Sequence, residues 1–497
     1  MNASTTVADN KINNTTSYTL FIRILALLTN NRRSFSFEIT DRKYLLFTVD
    51  LLLVITAAFT YCIAVYNSFT LAIFLGEKFS WLISVILWWS LVSYIFDLYN
   101  LEYINRFYTT VKYLTCATTI AIIGYLFFPW YTPELPTSKY DILLFIFQAL
   151  VSLVIWRYLY FRFFNRAIFL KRVLIVGSSY STKSLIDVFV NGDIFNYHLG
   201  YKVVGILDTD AGEIAYKGVR IIRGTSNLSK FLQRMRVDEI VVDESIRKSV
   251  SSKELIDLAS CRMQGIEVTA LCDFYEELTG RILVQQDGSD FYLTFPYNKS
   301  HFRRAYHLFS RVIDILFGIA GIVLCLLLIP VIYLANCISN RGPLFYRQER
   351  VGLHGTAFTI TKFRSMVVDA EANGAAWAQE NDMRITPFGR FLRRSRIDEL
   401  PQAWNVLKGE MSLIGPRPER PVFVEQLKAI IPFYETRHLM KPGITGWAQV
   451  IYKYSSTAED ALTKVQYDLY YLKNRSILMD LKVILKTVSV IIRFKGI

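Results

Sequence analysis

Four apolar stretches crowd the first 165 residues of this chain, at about 44–66, 79–96, 111–130 and 140–161. Each is near the roughly twenty residues that carry a helix across hydrocarbon, and in lipid only helices and closed barrels satisfy every backbone polar group. The pattern predicts four transmembrane helices. Residues 1–43, the leader, are rich in Asn and Thr and lack the charged start and apolar centre of a cleaved signal peptide. Cations collect at alternate ends of the runs: Arg32, Arg33, Arg42 and Lys43 before the first, Arg106 and Lys112 between the second and third, and Arg157, Arg162, Arg166, Lys171 and Arg172 around the end of the fourth. The other two loops hold only Lys78 and Lys139 beside acidic neighbours. Positively charged loops stay inside, so the N-terminus and everything after residue 165 are expected in the cytoplasm. Asp50 lies within the first run, where an ionisable group either serves function or is met by snorkelling or a neighbouring helix.

A fifth apolar run, 312–338, contains Pro330. Arg303, Arg304 and Arg311 precede it and Arg341, Arg347 and Arg350 follow it, so both flanks read as cytoplasmic. Proline removes an amide donor and clashes with the preceding turn, which provides a break where the helix can turn back. A re-entrant hairpin is expected; the alternative is a spanning helix with a tolerated proline. The 52% hydrophobic content, with a net charge of +14, excludes a disordered or wholly solvated protein and points the cations at an anionic leaflet or at phosphorylated ligands. Cysteines 62, 116, 261, 272, 325 and 337 form no C-x-x-C pair and lie at no metal-binding spacing, so neither disulfides nor zinc are indicated.

Between 171 and 296 the pattern becomes α/β: KRVLIVG, SLIDVFV, YKVVGILD, VDEIVVDES and GIEVTAL alternate strand with helix, which predicts a parallel sheet in a Rossmann-like cytoplasmic domain. The turn GSSYSTKS keeps Gly177 but has Ser179 and Thr182 where a dinucleotide fingerprint needs glycine. No NAD is expected there. Asp208 either holds a ribose or caps a turn.

The C-terminal part is basic and punctuated by glycine: GPLFYRQERVG, TKFRSMVVDAE, TPFGRFLRRSRIDELPQAWNVLKGEMSLIGPRPERP, RHLMKPGITGWAQV and YDLYYLKNRSILMDLKVILKT. Guanidinium forks match phosphate oxygens, and Gly-Pro turns free backbone amides as further donors. Asp398 and Glu399 stand next to each other before Leu400-Pro401, with Arg390, Arg393, Arg394 and Arg396 just upstream. One reading is a helix cap; the other is an ionised carboxylate that attacks phosphorus or binds a divalent ion. His438, beside Arg437, reads either as a donor to phosphate or as a structural contact; His301, His307 and His354 form no pairing, and Trp377, Trp404 and Trp447 read as packing or as stacking platforms. The terminal DLKVILKTVSVIIRFKGI is amphipathic and reads as an interfacial helix.

From about 304 to 497 the chain closely resembles the bacterial sugar transferase family of monotopic polyprenyl-phosphate hexose-1-phosphate transferases, through RQERVG, KFRSM, RRSRIDELPQ, MSLIGPRPERP and KPGITGWAQV. The whole layout resembles the large exopolysaccharide-initiating branch. The resemblance implies leader 1–43, a four-helix bundle 44–165, a degenerate Rossmann-like domain 171–296, and a mainly α, re-entrant monotopic catalytic domain 304–497. It implies transfer of a hexose-1-phosphate from a UDP-sugar to undecaprenyl phosphate at the cytoplasmic face of the bacterial inner membrane, with UMP released. Magnesium or manganese would be required, membrane lipid would be a partner, a homodimer stays open, and nucleic acid is not a partner. By motif, Asp398 would be the nucleophile of a phosphosugar-enzyme intermediate. Glu399 would position the metal with it, and Arg393 would steady the pair. Lys362, Arg364 and Arg417 would contact phosphate or nucleotide, Asp468 would support the site, and Pro330 would break the membrane hairpin. Ile329 stands where the family often has Ser, and Glu410 where Asp is common. The motifs name no particular hexose. Two other classes remain: a nucleotide-sugar oxidoreductase or dehydratase working through 171–296, which its missing glycines disfavour, and a non-enzymatic scaffold for export, which would release no UMP.

Overall fold

The computed structural model describes residues 39–65, 79–99, 107–126, 139–164, 170–191, 200–208, 219–223, 232–243, 260–284, 302–339, 341–370, 374, 382–452 and 457–492, except 178, 233 and 264. The leader up to residue 38, the flanking cations Arg32, Arg33, Lys78, Arg106 and Arg166, and His301 and Trp377 lie outside them. By internal contacts the chain forms two compact units, Met1–Ala270 and Leu271–Ile497.

In the first unit the four apolar runs are helices: α1 (Ile39–Val65), α2 (Phe79–Ile95), α3 (Phe107–Leu126) and α4 (Lys139–Phe164). Among the described residues three helical stretches are long and apolar enough to cross a membrane, Asp41–Thr60, Leu143–Arg162 and Ala305–Ser339, whereas Ile83–Ile95 is shorter. The protein is therefore a membrane protein. In α3 the apolar character is diluted by threonines, whose hydroxyls fold back: Thr115 Oγ1 donates to the Val111 carbonyl and Thr118 Oγ1 to that of Leu114. The bundle packs closely. A Cβ at Gly124 of α3 would lie 2.2 Å from the Trp88 indole of α2. Asp50 of α1 meets Arg157 of α4 at 2.5 Å with both side chains buried, and the Arg157 guanidinium lies 5.4 Å from the Tyr99 ring. Of the readings open for Asp50, pairing with a neighbouring helix is the one observed.

Five short strands then form one parallel sheet: β1 (Lys171–Val176), β2 (Tyr201–Asp208), β3 (Ile221–Arg223), β4 (Glu239–Val242) and β5 (Glu267–Ala270), in the order β3-β2-β1-β4-β5. Its central strands are apolar on both faces, as a covered parallel sheet requires; Leu174, Ile175, Ile240 and Val241 are fully buried. After β1, Gly177 takes φ 121° and α5 (Tyr180–Asn191) begins. Ser179 and Thr182, the residues standing in for glycine, both donate their hydroxyls to the Asp243 carboxylate beyond β4, Thr182 at 2.7 Å.

The second unit starts earlier than the motifs suggested. The stretch 271–284, expected within the middle domain, packs on C-terminal elements: α6 (Leu271–Thr279) pairs Glu276 with Lys473 at 2.8 Å, Trp447 Nε1 donates to the Gly280 carbonyl, and the Ile282 amide donates to that of Gln466. Strand followed by helix reads as one α/β unit in sequence, but the apolar partners of Ile282 and Val284 come from the C-terminal core. Next comes α7 (Phe302–Ser339), a 38-residue helix with Pro330 inside. An antiparallel hairpin follows, β6 (Phe345–Val351) and β7 (Ala357–Phe363), then α8 (Pro387–Arg394), a 3-10 turn at Ile397–Gln402 and α9 (Ala403–Lys408). Beyond these, β8 (Ser412–Ile414) pairs in parallel with β9 (Gly443–Thr445), and α10 (Pro421–Ile430), α11 (Trp447–Ile451), α12 (Ala458–Lys473) and α13 (Ile477–Ile492) enclose a core that includes Val351, Ile414, Val424, Leu469, Tyr471 and Val483. Thr457 and Asp460 form a capping box at the start of α12.

One face of α7 is covered by this unit and the other is bare. Gly318 and Gly321 allow approach to Leu407 and Ala403, where an added Cβ would come within 2.7 and 2.9 Å. Asp314 accepts from the Ser412 hydroxyl at 2.9 Å and the Leu413 amide at 2.7 Å, and Arg311 donates to the Val406 and Leu407 carbonyls at the end of α9. Around Pro330, Cys325, Leu328, Ile329 and Ile332 pack against Phe363, Leu392, Ile397 and Leu400. On the bare face Leu316, Leu327 and Leu334 project outward, Leu327 being 70% exposed, which lipid accounts for and water does not.

Candidate active site

The carboxylate pair sits in the 3-10 turn. Thr386 caps α8 by accepting from the Gly389 amide, Pro387 starts the helix, and the chain leaves it through Arg396 in a left-handed conformation, φ 59°. That turn of the backbone points Asp398 and Glu399 away from capping duty: neither helix start here has a side-chain cap bond. Isolated, the sequence Asp-Glu-Leu-Pro reads as a cap. In the fold both carboxylates are buried, 6% and 5% exposed, and face cations.

Glu399 is the better satisfied of the two. Lys362 Nζ lies 2.9 Å and Arg417 Nη1 3.1 Å from its Oε1, and Arg396 Nη1 lies 3.4 Å from its Oε2. Burial works against its ionisation, but these three cations overcome it and hold the carboxyl well below the usual range. Asp398 is pushed up to about 6 by burial and by the negative charge of Glu399, against the pull of Lys362, Arg393 and Arg396. Its Oδ1 is buried with no hydrogen-bond partner among the described residues. The pair thus divides into one carboxylate fixed in place and one left unsatisfied, on the ground formed by Ile397 and Leu400 packing against α7 near Pro330.

Of the residues singled out from sequence, the structure brings together Asp398, Glu399, Lys362, Arg417 and Arg393. Arg393 acts on Asp398 by charge, while its Nε donates to Ser365 Oγ at 2.8 Å. Arg364 is placed elsewhere: its guanidinium covers Gly342, where a Cβ would lie 2.2 Å from Nη1. Asp468 is behind the site, buried against Arg437 at 2.7 Å, and reaches it only through the Arg417 carbonyl that Arg437 also holds. His438 is half-buried, edge-on to the Tyr434 ring, and desolvation with the neighbouring Arg437 charge lowers it to about 4. Trp447 packs on Tyr470 and Gly280, and Trp404 lies outward under Lys408. Sequence reasoning overlooked Asp314 and the role of Arg437, and it named Arg396 among the upstream cations without placing it at Glu399. An aspartate within the apolar run was the one signal available for the first of these.

The residues that form this site fall within a recognised sequence pattern. The bacterial sugar transferase family matches residues 305–494. A UDP-N-acetylgalactosamine-undecaprenyl-phosphate N-acetylgalactosaminephosphotransferase of Aeromonas hydrophila is 41% identical over 240 residues, 47% of this chain, which spans about half (54%) of that relative. The UDP-glucose:undecaprenyl-phosphate glucose-1-phosphate transferase of Klebsiella pneumoniae is 32% identical over 335 residues, 66% of this chain and 68% of its own length. The undecaprenyl-phosphate galactose phosphotransferase of Salmonella typhimurium is 28% identical over 370 residues, 70% of this chain and 74% of its own length. With its C-terminal module matched and the Klebsiella relative 32% identical over 68% of that relative's length, this chain belongs to the bacterial sugar transferase family.

Proposed function

We propose that this chain moves a hexose-1-phosphate from a UDP-sugar to undecaprenyl phosphate, the first membrane step of an exopolysaccharide or capsule, with Asp398 carrying the sugar phosphate in between. The observation that carries the reading is the buried Oδ1 of Asp398, unpartnered among the described residues and under the charges of Lys362, Arg393 and Arg396. In the first half, a carboxylate oxygen of Asp398 bonds to the sugar-bearing phosphorus, the phosphoanhydride breaks, and UMP leaves with the bond electrons. In the second, an oxygen of undecaprenyl phosphate attacks the same phosphorus and Asp398 departs as carboxylate. Lys362, Arg417 and Arg393 offset the repulsion between two anionic substrates and an anionic nucleophile. Arg364 and Asp468 act from further out, on the Gly342 turn and through Arg437.

Asp398 and Glu399 fit magnesium or manganese as holders: two adjacent carboxylates, one with a buried free oxygen, leave the remaining positions to phosphate oxygens and water. Bound there, the ion would supply charge neutralisation at the transferred phosphoryl group. We read α7, which stays helical from Phe302 to Ser339 through Pro330 where a hairpin break was expected, as dipping into the cytoplasmic face of the bacterial inner membrane with both ends on that side. What supports this is that Arg311 and Asp314 near one end bond Val406 and Leu413, while Cys325, Leu328, Ile329 and Ile332 around Pro330 pack on Phe363, Leu392, Ile397 and Leu400 of the same unit. The parallel sheet with a serine-lined first turn is read as a Rossmann-like domain without a nicotinamide cofactor. The test is UMP release by membranes holding the full chain, with undecaprenyl phosphate and a panel of UDP-glucose, UDP-galactose and UDP-N-acetylgalactosamine. One sugar should support release and a labelled covalent adduct. Adduct formation by Asp398→Asn would overturn the nucleophile.

A further inference from the structure

The loop that presents Arg417 has an unusual set of partners. Its four consecutive carbonyls, Pro416 to Glu419, are each held: Pro416 by the Gly443 amide at 2.9 Å, Arg417 by Arg437 Nη2 at 3.1 Å, Pro418 by Arg350 Nη1 at 2.9 Å, and Glu419 by the Val351 amide at 2.9 Å. Two of these donors belong to neighbouring backbone and two to arginine side chains. In a module so rich in arginine each guanidinium is first suspected of holding phosphate. Arg437 is not available for that, because Nη1 donates to Tyr434 Oη at 2.8 Å and Nη2 lies 2.7 Å from Asp468 Oδ2.

The Arg437–Asp468 pair is buried, 5% and 3% exposed at the side chains. A buried ion pair gains little over apolar residues of the same volume, since desolvation cancels most of the attraction. Its presence therefore asks for a reason other than stability. The Arg417 side chain supplies one: it is long, 35% exposed, and still has to keep one nitrogen 3.1 Å from Glu399 Oε1. A mobile chain would spend its entropy on other rotamers unless its backbone were fixed.

We propose that Arg437 is a positioning residue for the transfer reaction: anchored by Asp468 and Tyr434, it holds the Arg417 carbonyl and so sets the Arg417 guanidinium on Glu399. The inference rests on the site reading above, in which Glu399 and its cations poise Asp398. Loosening Arg437 leaves Arg417 in the protein but no longer held to Glu399, so the loss belongs to the chemical step rather than to nucleotide binding.

The test is a double-variant cycle on the full chain in detergent. Arg437→Lys should lower kcat by about tenfold with KM for the UDP-sugar within about twofold. In an Arg417→Ala background the same change should alter kcat by less than about twofold, because the group it positions is gone. Tyr434→Phe, which removes one anchoring oxygen and keeps the ion pair, should show the same pattern with a smaller loss and decides the matter if Arg437→Lys does not fold. Losses that multiply in the double variant, or a rise confined to KM, would overturn the proposal. Failure of the function reading looks different: UMP release would be absent from the unmodified chain or would survive Asp398→Asn.

Discussion

Asp50 in the helical bundle and Asp398 in the C-terminal unit are both nearly removed from solvent, 0% and 6% exposed, yet their surroundings answer them in opposite ways. Asp50 has a dedicated partner, Arg157, on the facing helix. Asp398 has several cations nearby but a like-charged neighbour as well, and no ion pair among the described residues, although both aspartates leave Oδ1 without a hydrogen bond there. One carboxylate is tied through Oδ2 to an arginine on the facing helix, so that two helices meet in a single register; the other has no ion pair among the described residues and is left to take a partner during a reaction. Burial and an unbonded Oδ1, which the two share, do not separate structure from chemistry, whereas the presence of a direct ion pair on the other oxygen does.

The comparison breaks most sharply at Asp398→Asn. Transfer, read as UMP release, should fall by about a thousandfold or more while the protein still folds, since the amide keeps the shape and loses the nucleophile. At Asp50→Asn the effect should fall on stability instead: Arg157 is left buried without its counter-charge, at about 3–5 kcal/mol, measured as denaturant or protease resistance of the chain in detergent. Replacing both Asp50 and Arg157 with leucine should restore most of that loss, and UMP release per folded molecule should stay unchanged throughout.

Smaller effects sharpen the contrast. A carboxyl whose folded-state value is raised, as Asp398 is to about 6, adds stability that is complete below its unfolded value and is lost as pH rises through 6. Asp398→Asn should therefore melt higher than the unmodified chain at pH 8 with chelator present, by on the order of 2 kcal/mol, and show no gain at pH 4. The smallest effect concerns rate. Because the nucleophile must be ionised, kcat/KM should climb towards a plateau above pH 6 and stand about tenfold lower at pH 5; a flat profile across that range would detach Asp398 from the chemistry.

Much of this was legible in sequence, and for identifiable reasons. The apolar runs of the first unit gave its helices to within about five residues, with α1 at Ile39–Val65 against 44–66 and α4 at Lys139–Phe164 against 140–161, because a run that long has few other folds. Asp398, Glu399, Lys362 and Arg417 were found by charge and motif, and the fold gathers them across 56 positions of sequence. Arg437 was passed over because its neighbour His438 carried the more familiar chemistry, and its bond to the Arg417 carbonyl leaves no pattern in the chain. The assignment of 271–284 to the C-terminal unit was likewise hidden, because what decides it is Trp447 and α12, far along the sequence. Asp314 and Arg396 belong with these: a capping carboxylate inside an apolar run, and a left-handed arginine, are recognised only once their partners are in view.

Arg396 has a consequence for how such a molecule can be improved. Its left-handed backbone suits glycine and costs an arginine about 1 kcal/mol, while its guanidinium lies 3.4 Å from Glu399. Backbone and side chain therefore ask for different residues at one position. A library selected for heat resistance alone would drift toward glycine here, gaining stability while stripping a charge from the reaction centre, whereas selection for turnover would retain the less comfortable residue. The position marks where robustness and activity are exchanged within a single codon.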